Sequence, residues 1–195
     1  MFDGLTFKVA DPIERAQAFE LQREVYGGDV GHVPHDDFDE RAHYLIAHDR
    51  KPEVVAAFRV VGPDQRPFDL ERFVDLSPLI ASDRSVALVG RLCIHRSHRD
   101  VKRKAILPVA MMKLAFAFAQ KQGFTDLVMY TFPHLLNFYR RAFFRAVDLT
   151  FEHPGYRCRM YVMHLDMIDL EMRLSQSSEP MARFLREPGS LSILV

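Results

Sequence analysis

The segment SVALVGRLCIH, residues 85–95, constrains the fold more than any other stretch of this chain. Its apolar residues run almost without interruption, the pattern of a strand covered on both faces, yet Arg91 sits in the middle of it. An unpaired buried guanidinium costs several kcal/mol, about as much as a whole domain has to spare, so Arg91 demands acidic partners. Arg59, inside VVAAFRVV, makes the same demand. The best suppliers are Asp36, Asp37 and Asp39 of GDVGHVPHDDFDER (28–41), a polar stretch broken by Gly and Pro that reads as a long loop.

A charged run carrying Arg96, Arg99, Asp100, Lys102, Arg103 and Lys104 follows the strand, and then ILPVAMMKLAFAFAQKQG, a predicted helix with Pro108 in its first turn and Gly123 as its stop. TDLVMYTF supplies a further strand. Upstream, LTFKV alternates like a short strand, and DPIERAQAFELQREVYGG is a predicted helix with Asp11 as N-cap, Pro12 at its first position and Gly27 ending it. HYLIAH and PEVVAAFRVV read as a hairpin, and FDLERFVDLSPLI as irregular or briefly helical. HLLNFYRRAFF is a short helix, the turn HPGY precedes the last strand RCRMYVMHLDM, and DLEMRLSQSSEPMARFLREPG is a broken helix. This order predicts a mixed α/β sheet in three layers. One domain is expected over 1–195, with a partly helical tail from about 167.

Composition excludes several roles. With 48% apolar residues, 26 basic and 26 acidic side chains and no run long enough to cross a bilayer, nothing global favours nucleic acid or an anionic membrane. The start of the chain lacks the basic and apolar parts of a secretory signal, and a cytoplasmic location is expected. Cys93 and Cys158 are too few for a disulfide framework and should be reduced thiols. The pairs His32/His35 and His95/His98 match no zinc spacing, so no metal is expected. The 16 Phe and 9 Met, concentrated in MMKLAFAFA and NFYRRAFF, suit either an apolar tunnel or an ordinary core.

Several spaced motifs together carry a resemblance: LQREVY with Arg23, DDFDERAHYLI with Asp36, Asp39 and Tyr44, VVAAFRVV with Arg59, Phe73, VGRLCIH with Arg91, NFYRRAFFRAV with Tyr139, and HPGYRCRMYVMHLDM. In this order, over roughly residues 17–166, the chain resembles the GNAT-superfamily acyltransferases. Within them it is similar to the branch of acyl-homoserine-lactone synthases and N-acyl amino acid synthases. The resemblance implies a mixed, mostly antiparallel twisted sheet with helices on both faces. It also implies an N-acyltransferase that moves a medium or long acyl chain from an acyl carrier protein or coenzyme A thioester to a primary amine such as an amino acid. The thioester is a co-substrate, and no tightly bound cofactor is expected.

The same resemblance suggests roles. Tyr139 would give a proton to the departing thiolate, as a phenol with an ordinary pKa of about 10 can. Backbone N–H groups of Leu92, Cys93 and Ile94 would hold the carbonyl oxygen if the strand bulges there. Arg99, Lys102, Arg103, Lys104 and Asn137 would meet the donor; lysines stand at Lys102 and Lys104 where the family's pyrophosphate loop has glycines, which suits a carrier protein better than a snug coenzyme A loop. Arg23, Arg59 and Arg91 would serve the acceptor or organise the loop over the cleft. The branch often carries Glu three residues before the strand arginine, where this chain has Leu88, so His95 and Asp39 are the candidate bases. Conventional acetylation from acetyl-coenzyme A and a non-catalytic binding protein of the same fold remain open alternatives.

Overall fold

The computed structural model describes residues 4–49, 53–99, 106–187 and 193–194. Its elements are β1 (Thr6–Val9), α1 (Pro12–Asp29), β2 (His43–His48), β3 (Val54–Val61), β4 (Val86–Ile94), α2 (Ile106–Gln122), β5 (Asp126–Thr131) and α3 (Leu136–Arg141). Then come β6 (Arg145–His153), β7 (Cys158–Asp166), α4 (Met167–Gln176), α5 (Pro180–Arg186) and β8 (Ile193–Leu194). One sheet takes them in the order β6-β7-β5-β4-β3-β2-β1-β8. The β4–β5 and β1–β8 pairs are parallel and the others antiparallel.

The helix starts follow from local chemistry. Asp11 accepts from the N–H groups of Ile13 and Glu14 at 2.9 Å each, and Glu14 takes the Asp11 N–H at 3.0 Å, so the first turn of α1 is capped in both directions. Gly27 does not end the helix as expected. The chain stays helical to Asp29, and the left-handed residue beyond it is Gly31, with φ 72°. Gly123, at φ 71°, does close α2. The sequence reading also described no strand in RAVDLTFEH, which forms β6, and its broken tail helix resolves into α4 and α5.

The central strands sort their side chains by parity. Tyr44, Ile46, Ala57, Val61 and Leu88 face α1, whereas Leu45, Phe58, Val60, Ala87 and Val89 face α2. Met111, Met112 and Phe118 of α2 are spent in that second layer as core, so they do not line a tunnel. Lys113 is also buried there; its Nζ donates to the carbonyls of Phe184 at 2.6 Å and Glu187 at 2.5 Å, holding the end of α5 against α2.

Candidate active site

The site begins where β4 and β5 part. Val86–Leu88 pair with Asp126–Val128 and the ladder then stops, although β4 continues to Ile94 and β5 to Thr131. The wedge between them holds a narrow cavity of about 50 Å3. Leu88, Leu92, Met129, Leu135 and Met160 give it apolar walls, and Tyr26, Tyr130, Tyr139 and Tyr156 bring aromatic rings with hydroxyls.

Opposite the wedge, β4 carries one residue too many. Ala57 pairs with Cys93 but Arg59 pairs with Gly90, so three steps on β4 answer two on β3. Arg91 takes the strain, at φ 54°. Regular alternation would send Arg91 with Val89 to the α2 side; the bulge turns it to the α1 side, beside Arg59. Gln22 of α1 donates to the Arg91 carbonyl at 2.9 Å. Past the bulge, the His95 N–H donates to Val55 on β3 at 2.8 Å, so by alternation the Ile94 amide points to the other edge, from which β5 has withdrawn.

The acidic partners that the two arginines required are Asp36 and Asp39. Arg59 Nη1 lies 2.7 and 2.8 Å from the two oxygens of Asp36 and 2.8 Å from Asp39 Oδ1. Arg91 Nη1 reaches Asp39 Oδ1 at 2.6 Å and its Nη2 reaches Asp36 Oδ2 at 2.5 Å. Tyr44 donates to the same Asp39 oxygen at 3.1 Å. Burial pushes the Asp36 carboxyl up, but Arg59 and Arg91 outweigh it and leave the group below its usual range. The loop is therefore fastened to the sheet by buried, charge-assisted hydrogen bonds. A third carboxylate, Asp69, stands 3.8 Å from Arg59 Nη2.

An aromatic wall continues from the wedge. Tyr156 stands 4.2 Å from His153, 5.0 Å from His32 and 5.1 Å from Phe132 between ring centres, and Phe73 stacks on Phe151 at 4.6 Å. His153 Nδ1 accepts from the N–H groups of Gly155 and Tyr156 at 3.1 and 3.2 Å. Burial, with His32 and Arg91 nearby, lowers its pKa to about 4, so the ring is neutral at pH 7.

The expected site residues divide. Tyr139 lines the wedge, is 4% exposed, and its hydroxyl has no hydrogen bond to any described residue; burial raises its pKa and keeps the phenol protonated. Leu92 lines the wedge too, while the Cys93 side chain is buried on the α1 side and its thiol is pushed up to about 12 by burial. Asp39 is placed otherwise than a base needs: its oxygens already meet Arg59, Arg91, Tyr44, His35 at 3.0 Å and the Asp36 N–H at 3.0 Å. His95 does not line the wedge but a groove outside α1, where its Nδ1 is 2.6 Å from Ser97 Oγ. Arg23 is on that outer side as well, paired with Glu20 at 3.0 Å.

Arg99 is engaged by protein groups, the Ile94 carbonyl at 2.7 Å and Asp29 at 2.5 Å, and Asn137 is exposed on α3 beside Arg140. Lys102, Arg103 and Lys104 lie outside the described residues. Sequence reasoning missed Gln22, Asp69, Tyr130, His153 and Tyr156. His153 and Tyr156 had a signal in HPGYRCRMYVMHLDM, a turn and strand that help carry the resemblance but suggest no site role by themselves.

Comparison with known proteins places the fold. The structure of FeeM, an N-acyl amino acid synthase from uncultured soil microbes, superposes with a TM-score of 0.76 at 12% identity, covering 89% of this chain and 94% of that one. BjaI, a coenzyme A-dependent acyl-homoserine lactone synthase, gives 0.67 at 16% identity over 98% and 94%, and the synthase LasI 0.64 at 12% over 98% and 97%. A stretch of 75 residues is 40% identical to the L-ornithine N(alpha)-acyltransferase of Rhodobacter capsulatus, spanning 33% of this chain and 29% of that protein. The chain thus aligns with under a third of its curated relative. The fold is the one shared by FeeM, BjaI and LasI. The model of the family N-acyl amino acid synthase FeeM matches residues 17–166, and the chain belongs to that family. No described helix is long and apolar enough to cross a membrane.

Proposed function

We propose that the protein joins an acyl group, carried as the thioester of an acyl carrier protein or coenzyme A, to the amine of an amino acid or similar primary amine. The observation that carries this reading is the wedge beyond Leu88 and Val128, with the Tyr139 hydroxyl on one side and the withdrawn edge of β4 on the other. A pantetheine arm laid along that edge would find amide N–H groups in place of the missing strand. Its carbonyl oxygen would rest on the outward amide of Ile94 in the Leu92–Ile94 segment, where negative charge grows as the amine attacks. Tyr139 would protonate the sulfur as the C–S bond breaks. Arg59 and Arg91 hold the loop and shape the site from behind, and the aromatic wall from Phe132 to His153 receives the acceptor.

Incubation of the purified protein with acyl carrier protein and coenzyme A thioesters of varied chain length, acetyl included, and a panel of amino acids, followed by mass spectrometry, tests this reading. The expected result is an N-acyl amino acid together with one free thiol per amide. Absence of any amide with either donor would overturn it.

A further inference from the structure

Thioester aminolysis needs a destination for a proton, because the acceptor arrives as an ammonium ion. Among the described residues that line the wedge there is no carboxylate and no histidine. Four tyrosine hydroxyls and that of Thr131 remain. Tyr26 lies 3.5 Å from the Leu92 carbonyl, and Tyr139 and Tyr156 make no side-chain hydrogen bond with a described residue. Only Tyr130 donates to a carboxylate: its hydroxyl is 3.3 Å from Asp69 Oδ2.

Asp69 is the odd member of the charged cluster. Asp36 and Asp39 each bind both guanidinium groups, whereas Asp69 lies 3.8 Å from Arg59, and its other oxygen accepts only the Leu70 N–H at 2.8 Å. Three carboxylates therefore face two arginines, and the one held at the longest distance is the one attached to the wedge. Burial, offset in part by Arg59 and reinforced by Asp36, raises the affinity of Asp69 for a proton. Burial and Asp69 keep the Tyr130 phenol un-ionised, able to donate and accept at once. The groups facing this pair are Arg59 of β3, Arg91 of β4, Asp36 and Asp39 of the loop, His153 at the end of β6 and Tyr156 in the turn after it.

Resting on the acyltransfer reading, we propose that Tyr130 and Asp69 form the proton exit for the acceptor: Tyr130 Oη takes a proton from the ammonium while passing its own to Asp69 Oδ2. The neutral amine then bonds to the thioester carbonyl carbon, the C–S bond breaks, and the second nitrogen proton ends on the sulfur. Asp69 releases the first proton to solvent, so each turnover yields one amide, one thiol and one proton. Tyr130, which lines the wedge, touches the acceptor; Asp69 acts through it.

The test compares wild type with Tyr130→Phe, Asp69→Asn and Asp69→Glu, reading kcat/KM for the amine from pH 5 to 9 together with donor binding. The Phe and Asn variants should lose about 10²-fold at neutral pH, with the deficit shrinking as pH rises toward the amine's own pKa, donor affinity unchanged and Glu restoring most of the rate. Carboxyl NMR should place the Asp69 titration above the ordinary aspartate range. Variants that match the wild-type rate and pH profile, or an Asp69 titrating in or below that range, would overturn the relay. A wild type that acylates no amine would overturn the acyltransfer reading instead.

Discussion

Arg59 and Arg91, on neighbouring strands, donate to a single atom: Asp39 Oδ1 receives Nη1 of the first at 2.8 Å and Nη1 of the second at 2.6 Å. Two like charges can share that oxygen only because Asp36 binds both of them as well. Arg91→Met leaves Asp36 and Asp39 each one guanidinium short in a buried place. Loss of a buried partner costs about 3–5 kcal/mol, so urea unfolding should show a drop of that size.

Tyr139→Phe removes a hydroxyl that no described residue holds and leaves the buried ring in place. Stability and donor affinity should stay near wild type. Turnover with the thioester should fall by about 10²-fold, and steady-state kinetics beside a donor-binding titration would separate the two effects.

Stability should fall with acid in two phases. His153 has a folded pKa of about 4 against an ordinary 6.5, so the unfolded chain binds the proton first and stability declines as pH drops from 6.5 toward 4. Asp36, Asp126 and Asp166 all sit below their ordinary value; their contribution is full above about pH 4 and is lost as pH falls through the folded values. Asp69, raised, has the opposite sign: its stabilisation is full at low pH and disappears as pH rises through its folded value. Urea midpoints measured from pH 7 to 3 should show both phases, and His153→Asn should abolish the first.

A methyl group at Gly155 would overlap the imidazole of His32, so Gly155→Ala must displace that ring from its place against Tyr156. Overpacking of this kind costs about 1–3 kcal/mol. The acceptor KM should rise while the donor KM holds, since the displaced ring belongs to the aromatic wall and not to the β4 edge.

Much of this fold was legible because its signals are local. The Asp11–Pro12 start of α1 and the Gly123 stop of α2 need only neighbours in sequence. The pairing of Arg59 and Arg91 with Asp36 and Asp39 was legible for another reason: buried charge leaves few options, and the acidic loop was the nearest supply. Asp69 was not. It lies in a short 3-10 turn whose sequence gives no periodicity, and it meets Tyr130 across 61 positions of chain. His95 and Arg23 are expected at the site because they stand beside meaningful residues in sequence, and in space they line a groove along α1 and not the wedge.

The supernumerary residue of β4 turns the middle of this chain into a matter of counting. Straighten the strand while keeping every residue, and everything from Arg91 to Ile94 would exchange inside for outside: Cys93 would leave its apolar bed and Arg91 would be marooned among the methionines of α2. That segment can trade one apolar side chain for another of like volume at small expense. What it cannot give up, at its present length, is the left-handed kink at Arg91 that keeps count and facing in agreement.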